Sequence, residues 1–455
     1  MRGCSMLRIL FTTLALVVGP GICAAQAPAI PEAVQQSIRN RVDHGYNVGI
    51  VVGIVNPQGT TYHAYGRKRI ATEETPDEDM VFEIGSITKV FTSILLVDMV
   101  ERGELSLEDP IDRFLPDGVS APTRNGESIT LEHLATHSSG LPRMPTNFAP
   151  SDPGNPFADY SVDQAYAFID GYVLPRDIGS QYEYSNYGAG LLGHLLAMRA
   201  GVTYEELVEQ RIAEQLGMPA TRITLSPDLQ DRLAAGHAGS EEVSNWDIPT
   251  LAGAGALRST PRDMLTFLSA NLGLTESDLL TAMHVTHQPR RSAGSPTMQI
   301  GLGWHIRTGD QEVVWHNGGT GGYRSFAGFV NETQTGVVVL TNSSQSADDI
   351  GFHLLDSSLP LSEIRIPVDI DSAILERYVG RYELAPGYVF EVTTESGQLF
   401  AELTGQPRFP VYPESETRFY YTVVEAQITF EVDESGEVTG LVLHQNGDHR
   451  ARKLP

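Results

Sequence analysis

The sequence predicts an α+β fold, an antiparallel sheet flanked by helices with a helical lobe, followed by a small all-β barrel-like unit. Three observations predict it. A β-rich run with a turn (47–65) and four strand-like runs (301–341) enclose a long stretch of helical pattern. The run after Ser86, Val90 to Val100, is apolar nearly all round, as in a helix buried in a core. Beyond residue 371, short strand-like runs recur between turns, the texture of a small β-barrel or sandwich.

Composition sets the bounds. The 455 residues suffice for two to four domains and a large core, and 41% hydrophobic with 19% charged residues marks a globular chain. No internal apolar run reaches the roughly 18 residues of a membrane span. At the N-terminus a positive segment to Arg8, an apolar run Ile9 to Val18 and small residues around Cys23-Ala24-Ala25 read as a secretory signal peptide over 1–25. A retained anchor fits less well, because the apolar run is short. The expected location is therefore secreted or periplasmic. Cys4 and Cys23, the only cysteines, fall inside the signal, so the processed chain would hold no disulfide, thiolate metal site or cysteine nucleophile. A net charge of −26 disfavours nucleic acid, whose phosphates would be repelled.

In chain order, Ile30, Val34, Ile38 and Val42 at helical spacing predict a first helix over 31–44. Asn47 to Val55, the turn Asn56-Pro57-Gln58-Gly59 and Thr60 to Tyr65 predict a hairpin. The Ser86 helix follows, with Gly103 as its stop. Short helices are expected at 111–115 and, capped by Thr130, at 130–137. Pro142 to Pro156 is a long loop, of a kind that is often functional. Helices follow at 161–172, from about Ala189 to Ala200, at 203–216 and at 260–272 with Pro261 in its first turn. Ala252 to Leu257 is a tight run of small residues. Strands are expected at 301–306, 312–316, 324–330 and 336–341. Residues 359–371 read as a linker, and six strands are expected between 378 and 445.

Three short motifs carry the chemistry. Ser86-x-x-Lys89 places two side chains on one helix face, where a partly desolvated lysine can lose its proton beside a serine. Tyr184-x-Asn186 lies in a loop before a helix, and His316-x-Gly318 lies on a strand. Each motif alone is weak; in this order and context they are specific. At these residues, over roughly 30–355, the chain resembles the serine β-lactamase and penicillin-binding-protein superfamily. The nearest branch is that of class C β-lactamases, D-alanyl-D-alanine carboxypeptidases and related esterases and D-amino-acid peptidases. Thr136-His137-Ser138-Ser139-Gly140-Leu141-Pro142 and His316-Asn317-Gly318-Gly319-Thr320-Gly321-Gly322-Tyr323 support it. The C-terminal part resembles the lipocalin-like β domains of some members. The resemblance implies a hydrolase domain over 30–358 and a β domain over 372–455.

It also implies roles. Ser86 would be the nucleophile that forms an acyl-enzyme. Lys89 and Tyr184, titrating near ~10.4 and ~10 when unperturbed, would share a proton as a pair, and the base is not assigned more finely. Tyr184 would also protonate the leaving group and activate water. Asn186, His316 and Gly318 would bind substrate, Asn186 by a hydrogen bond to the substrate's amide. The backbone N–H groups of Ser86 and Gly319 would form the oxyanion hole. His316 departs from class C β-lactamases, which carry lysine there, so a permanent positive charge is missing; Arg324 is a candidate replacement.

The His133/His137 pair at i, i+4 could hold zinc, but Glu132 precedes it and a third ligand is not evident; the alternative is a helix packed beneath the site. His284 and His287 read as surface or loop residues. No cofactor and no metal are implied. The expected function is a serine hydrolase of D-amino-acid peptides, β-lactams or small esters, with a small-molecule or peptide substrate. The alternative is a penicillin-recognising sensor with little turnover.

Overall fold

The computed structural model describes residues 27–455, so the predicted signal peptide and both cysteines lie outside the described residues. An eight-stranded antiparallel sheet organises the first part of the chain. Its strands are Gly49–Asn56, Gly59–Gly66, Arg291–Ser295, Met298–Ile300, His305–Arg307, Val313–Gly319, Arg324–Val330 and Thr335–Thr341. Across the sheet the order is 59–66, 49–56, 335–341, 324–330, 313–319, 305–307, 298–300, 291–295. The early hairpin thus pairs with the last strand, Ile50 opposite Thr341.

The central strands 49–56, 324–330 and 335–341 are buried on both faces, and their period of two divides two cores. Ile50, Val52, Ile54, Val337 and Val339 face a smaller core shared with Val34 and Ile38 of the first helix, Glu32–Asp43. Val51, Val55, Val338 and Leu340 face the main core, shared with the helical lobe. The helix Thr88–Glu101 lies inside that core, with every residue from Thr88 to Met99 buried. Phe91 stacks on Phe267 of the helix Pro261–Asn271 with ring centroids 4.3 Å apart. The predicted stop holds: the helix ends at Glu101, and Gly103 takes φ +70°.

Several elements differ from expectation. The run 301–306 is a strand only from His305, because Gly303 packs onto the Ser86 helix. A Cβ at Gly303 would lie 2.6 Å from Ser93 Oγ, and its φ of +76° suits glycine. The helix expected near Ala189 begins at Asn186, since Ser185 caps it by accepting from Gly188 N–H at 2.8 Å. The helix expected over 203–216 is interrupted by a wider turn at Glu209–Ala213. The edge hairpin Arg291–Ser295 with Met298–Ile300 was not predicted, because its residues are polar and do not alternate.

The C-terminal part is a closed antiparallel barrel of eight strands, from Gly380–Ala385 to Asp448–Lys453, sealed where Tyr382 pairs with Lys453. Two of its strands were not predicted. Phe409–Pro413 carries two prolines, and Asp448–Lys453 is charged with only Ala451 buried. Side chains fill the interior. Tyr378 and Phe430 stack at 4.1 Å, and Tyr382 donates to the Tyr378 carbonyl at 2.7 Å. Phe390, Phe419 and Leu441 complete this core, with Leu375 from the short helix Ser372–Arg377. Tyr46 and Tyr420 both donate to the Arg365 carbonyl, at 3.1 and 2.6 Å, and so tie the sheet unit to the barrel.

Candidate active site

Ser86 sits in a tight turn, Gly85–Ile87, that runs into the buried helix. The turn is held from two sides. Ile84 N–H donates to the Leu257 carbonyl at 3.1 Å, and the Ile84 carbonyl accepts from Ser325 Oγ at 2.8 Å. The strand Val313–Gly319 passes so close that a Cβ on Gly318 would lie 2.0 Å from the Ile84 carbonyl oxygen. A Cβ on Gly85, whose φ is +49°, would lie 2.7 Å from Gly319 N. Glycine at both positions brings the backbones of Ser86 and Gly319 together. On one side this strand pairs with 324–330 from Val314 to Gly319, but on the other it meets 305–307 only from Val313 to Trp315. Among the described strands, the edge of 317–319 is therefore open for an extended ligand.

Lys89 Nζ lies 2.9 Å from Ser86 Oγ and donates to the Ala254 carbonyl at 2.6 Å. Lys89 is 2% exposed, and burial, with a smaller contribution from the Arg143 charge, holds its amine well below the usual lysine range. The small-residue run makes this possible. Gly253 lies against Gly193, where a Cβ would come within 2.8 Å of the Gly193 Cα, and so the Ala252–Ala254 turn can reach the lysine.

Tyr184 covers the pair, its ring centroid 4.8 Å from Lys89 Nζ. Burial pushes its phenol up to about 12, against the opposing effects of the Ser86 hydroxyl and the Arg143 charge. Three histidines surround this ring: His137 at 4.5 Å, His316 at 6.2 Å and His305 at 6.3 Å between centroids. Burial holds His137 and His316 well below the usual imidazole range and brings His305 down to about 4. His316 is thus a neutral group. Its Nδ1 lies 2.5 Å from the Asn317 carbonyl, which makes Nδ1 the protonated nitrogen and leaves Nε2 a buried acceptor without a protein partner. His305 Nε2 lies 2.9 Å from the Tyr182 hydroxyl. Asn186, the first residue of its helix, keeps a buried Oδ1 without a partner. Arg324 lies opposite Gly319 in the ladder, its Nη1 2.9 Å from where a Gly319 Cβ would be, so a cation does border this strand.

Ser86, Lys89, Tyr184, Asn186, His316, Gly318 and Gly319 thus converge on one cleft. His133 and His137 do not pair. The helix ends at Ala135, and His137 turns into the cleft with φ +53°, while His133 Nδ1 accepts from Thr130 N–H at 3.2 Å. No cluster of three metal-ligating side chains occurs among the described residues. His287 is buried, contrary to the surface reading, bonded to Asn271 Oδ1 at 2.9 Å and packed on Phe329. Sequence reasoning missed Arg143, Tyr182 and His305 at this site. A cavity of about 1320 Å³ lies elsewhere, between the sheet and the barrel. Its arginines are already engaged, Arg67 with Glu73 and Arg408 with Glu395.

The family profile described as Beta-lactamase matches residues 34–355, and the Domain of unknown function (DUF3471) matches 365–453. A D-alanyl-D-alanine-carboxypeptidase/endopeptidase, AmpH, of Escherichia coli K12 is 30% identical over 341 residues, covering 70% of this chain and 87% of the relative. Penicillin-binding protein 4* of Bacillus subtilis is 26% identical over 442 residues, covering 89% and 94%. Among solved structures, the octameric penicillin-binding protein homologue from Pyrococcus abyssi aligns with a TM-score of 0.63 at 22% identity, covering 92% of this chain and 99% of that one. A class C β-lactamase from Rhodobacter sphaeroides aligns at 0.62 and 24% identity, covering 71% and 100%.

Proposed function

This chain belongs to the β-lactamase family of serine hydrolases, and from that premise we propose that it cleaves small D-amino-acid amides or esters through an acyl-enzyme on Ser86. The observation that carries this reading is the 2.9 Å approach of Ser86 Oγ to a lysine whose amine burial holds well below the usual lysine range. In the proposed cycle, Ser86 Oγ attacks the substrate carbonyl and its proton passes to Lys89 Nζ, the base within reach. The phenol of Tyr184, raised to about 12, is protonated at neutral pH and is therefore the acid rather than the base. The oxyanion is held by the N–H groups of Ser86 and Gly319. The leaving amine or alcohol takes a proton from Tyr184, which recovers it from Lys89. Water then attacks the acyl ester, gives up its proton through the same pair and releases the acid. Asn186 Oδ1 accepts from an amide N–H of the acyl group, and the open edge at 317–319 receives the extended substrate backbone. Neutral His316 supplies an acceptor where class C β-lactamases carry a lysine's charge, which weighs against efficient β-lactam hydrolysis.

The test is intact mass of the protein and of Ser86→Ala after exposure to benzylpenicillin, with D-lactate release from a D-alanyl-D-lactate depsipeptide measured in parallel. Turnover that requires Ser86 supports the hydrolase. A stable penicilloyl adduct without turnover supports the sensor alternative. Full activity of Ser86→Ala on both compounds overturns the mechanism.

A further inference from the structure

The cleft carries a cation that its own chemistry does not use. Arg143 begins the long loop 142–156, and its backbone is fixed to the catalytic segment. Its carbonyl accepts from Asn186 N–H at 3.0 Å and Tyr187 N–H at 3.2 Å. The preceding Pro142 carbonyl accepts from Ser185 Oγ at 2.7 Å. The guanidinium lies 5.1 Å from the centroid of the Tyr184 ring. Its charge acts on Lys89, His137, Tyr182 and Tyr184.

Arg143 also lacks a counter-ion. Other arginines near functional or structural junctions hold carboxylates: Arg258 with Glu83, Arg41 with Asp349, Arg211 with Asp98. Among the described residues no carboxylate lies within ion-pair distance of Arg143, in a chain whose net charge is −26. An exposed guanidinium on a pinned backbone, facing the cleft and left unpaired amid excess acid, is suited to a ligand's oxyanion.

We infer that Arg143 is a specificity-determining residue that binds a carboxylate on the acyl-donor part of the substrate. The acyl side is favoured because Arg143 is tied to Asn186, the group assigned to the acyl amide. Arg324 stands across the cleft at Gly319. The inference rests on the Ser86 acyl-enzyme reading and names the substrate class within it: acyl donors bearing an anionic side chain.

The experiment compares N-acetyl-D-glutamyl-D-lactate with its isosteric D-glutaminyl analogue, following D-lactate release by the full chain, Arg143→Gln and Ser86→Ala. Both substrates carry the same leaving carboxylate, so only the acyl charge differs. The wild type should prefer the glutamyl substrate in kcat/KM. Arg143→Gln should lower kcat/KM for it by about 10- to 100-fold, the scale of a charge-assisted hydrogen bond. The glutaminyl value should move little. Equal losses on both substrates, or a change confined to the pH profile and common to both, would mean that Arg143 acts on Tyr184 instead and would overturn the inference. Turnover that survives Ser86→Ala overturns the acyl-enzyme reading, a separate outcome from unchanged selectivity in Arg143→Gln.

Discussion

The carbonyl of Ala254 accepts a hydrogen bond from Lys89 Nζ at 2.6 Å, and this contact fixes the amine 2.9 Å from Ser86 Oγ. A neutral amine that donates to Ala254 directs its lone pair elsewhere, and the serine hydroxyl is in reach. Burial holds Lys89 well below the usual lysine range. Its basic form therefore persists to lower pH than that of an ordinary lysine, and acylation should fall as pH drops through the depressed pKa. Stopped-flow acylation from pH 5 to 11 should be flat at its alkaline end; a rate still climbing near ~10.4 would show an ordinary lysine. Lys89→Met should slow acylation by about 10²- to 10⁴-fold, the usual weight of a general base.

Gly85→Ala tests the proposed oxyanion hole. The new Cβ would meet Gly319 N at 2.7 Å, at a residue with φ +49°, so the turn must move away from the strand. The expected result is a loss of about 10²-fold or more in kcat, as for removal of one oxyanion donor. Substrate binding at the strand edge should change less. Steady-state kinetics beside a thermal melt checks this: a lower Tm with unchanged kcat would remove Gly319 from the mechanism.

What was legible in the sequence is what lies close along the chain. Ser86 with Lys89, Tyr184 with Asn186 and His316 with Gly318 are each spaced three residues or fewer, so a turn of helix or strand determines their geometry. The hairpin and the late strands were legible because their apolar patterns are strong. Tyr182 and His305 meet from 123 residues apart, and no local pattern announces such a contact. The group that holds Lys89 is a backbone carbonyl, which any residue could supply; only the run of small residues around Ala254 hinted at close packing. The helix expected to run to His137 ends at Ala135, and so His137 was not read as a residue of the cleft. The strand Asp448–Lys453 closes the barrel by backbone pairing and carries almost no apolar signal.

The filled barrel should be separable from the chemistry. Phe430 stacks on Tyr378 and packs on Phe419 and Tyr382. Phe430→Ala should cost the barrel about 3–5 kcal/mol. Proteolysis should then cut within the C-terminal part at lower denaturant, while the acylation rate at Ser86 stays within about twofold, because this core shares no side chain with the main core. A large fall in acylation would give the barrel a direct part in the site.

The buried histidines make stability depend on pH, and the sign can be worked out. Unfolded, each titrates near ~6.5. Folded, burial brings His305 down to about 4 and His287 to about 3. Between these limits the unfolded chain binds protons that the native chain does not, so stability falls as pH falls. For His305 the difference corresponds to about 3 kcal/mol once both limits are passed. The urea midpoint should therefore hold above about pH 7 and decline from pH 6.5 towards 4. His287→Asn should flatten part of that decline without touching the cleft, whereas His305→Asn should flatten it and also disturb Tyr182 and Tyr184. A midpoint as steep in both variants as in the wild type would mean that these histidines are protonated in the folded chain, and Lys89 would then share its cleft with cations rather than neutral rings.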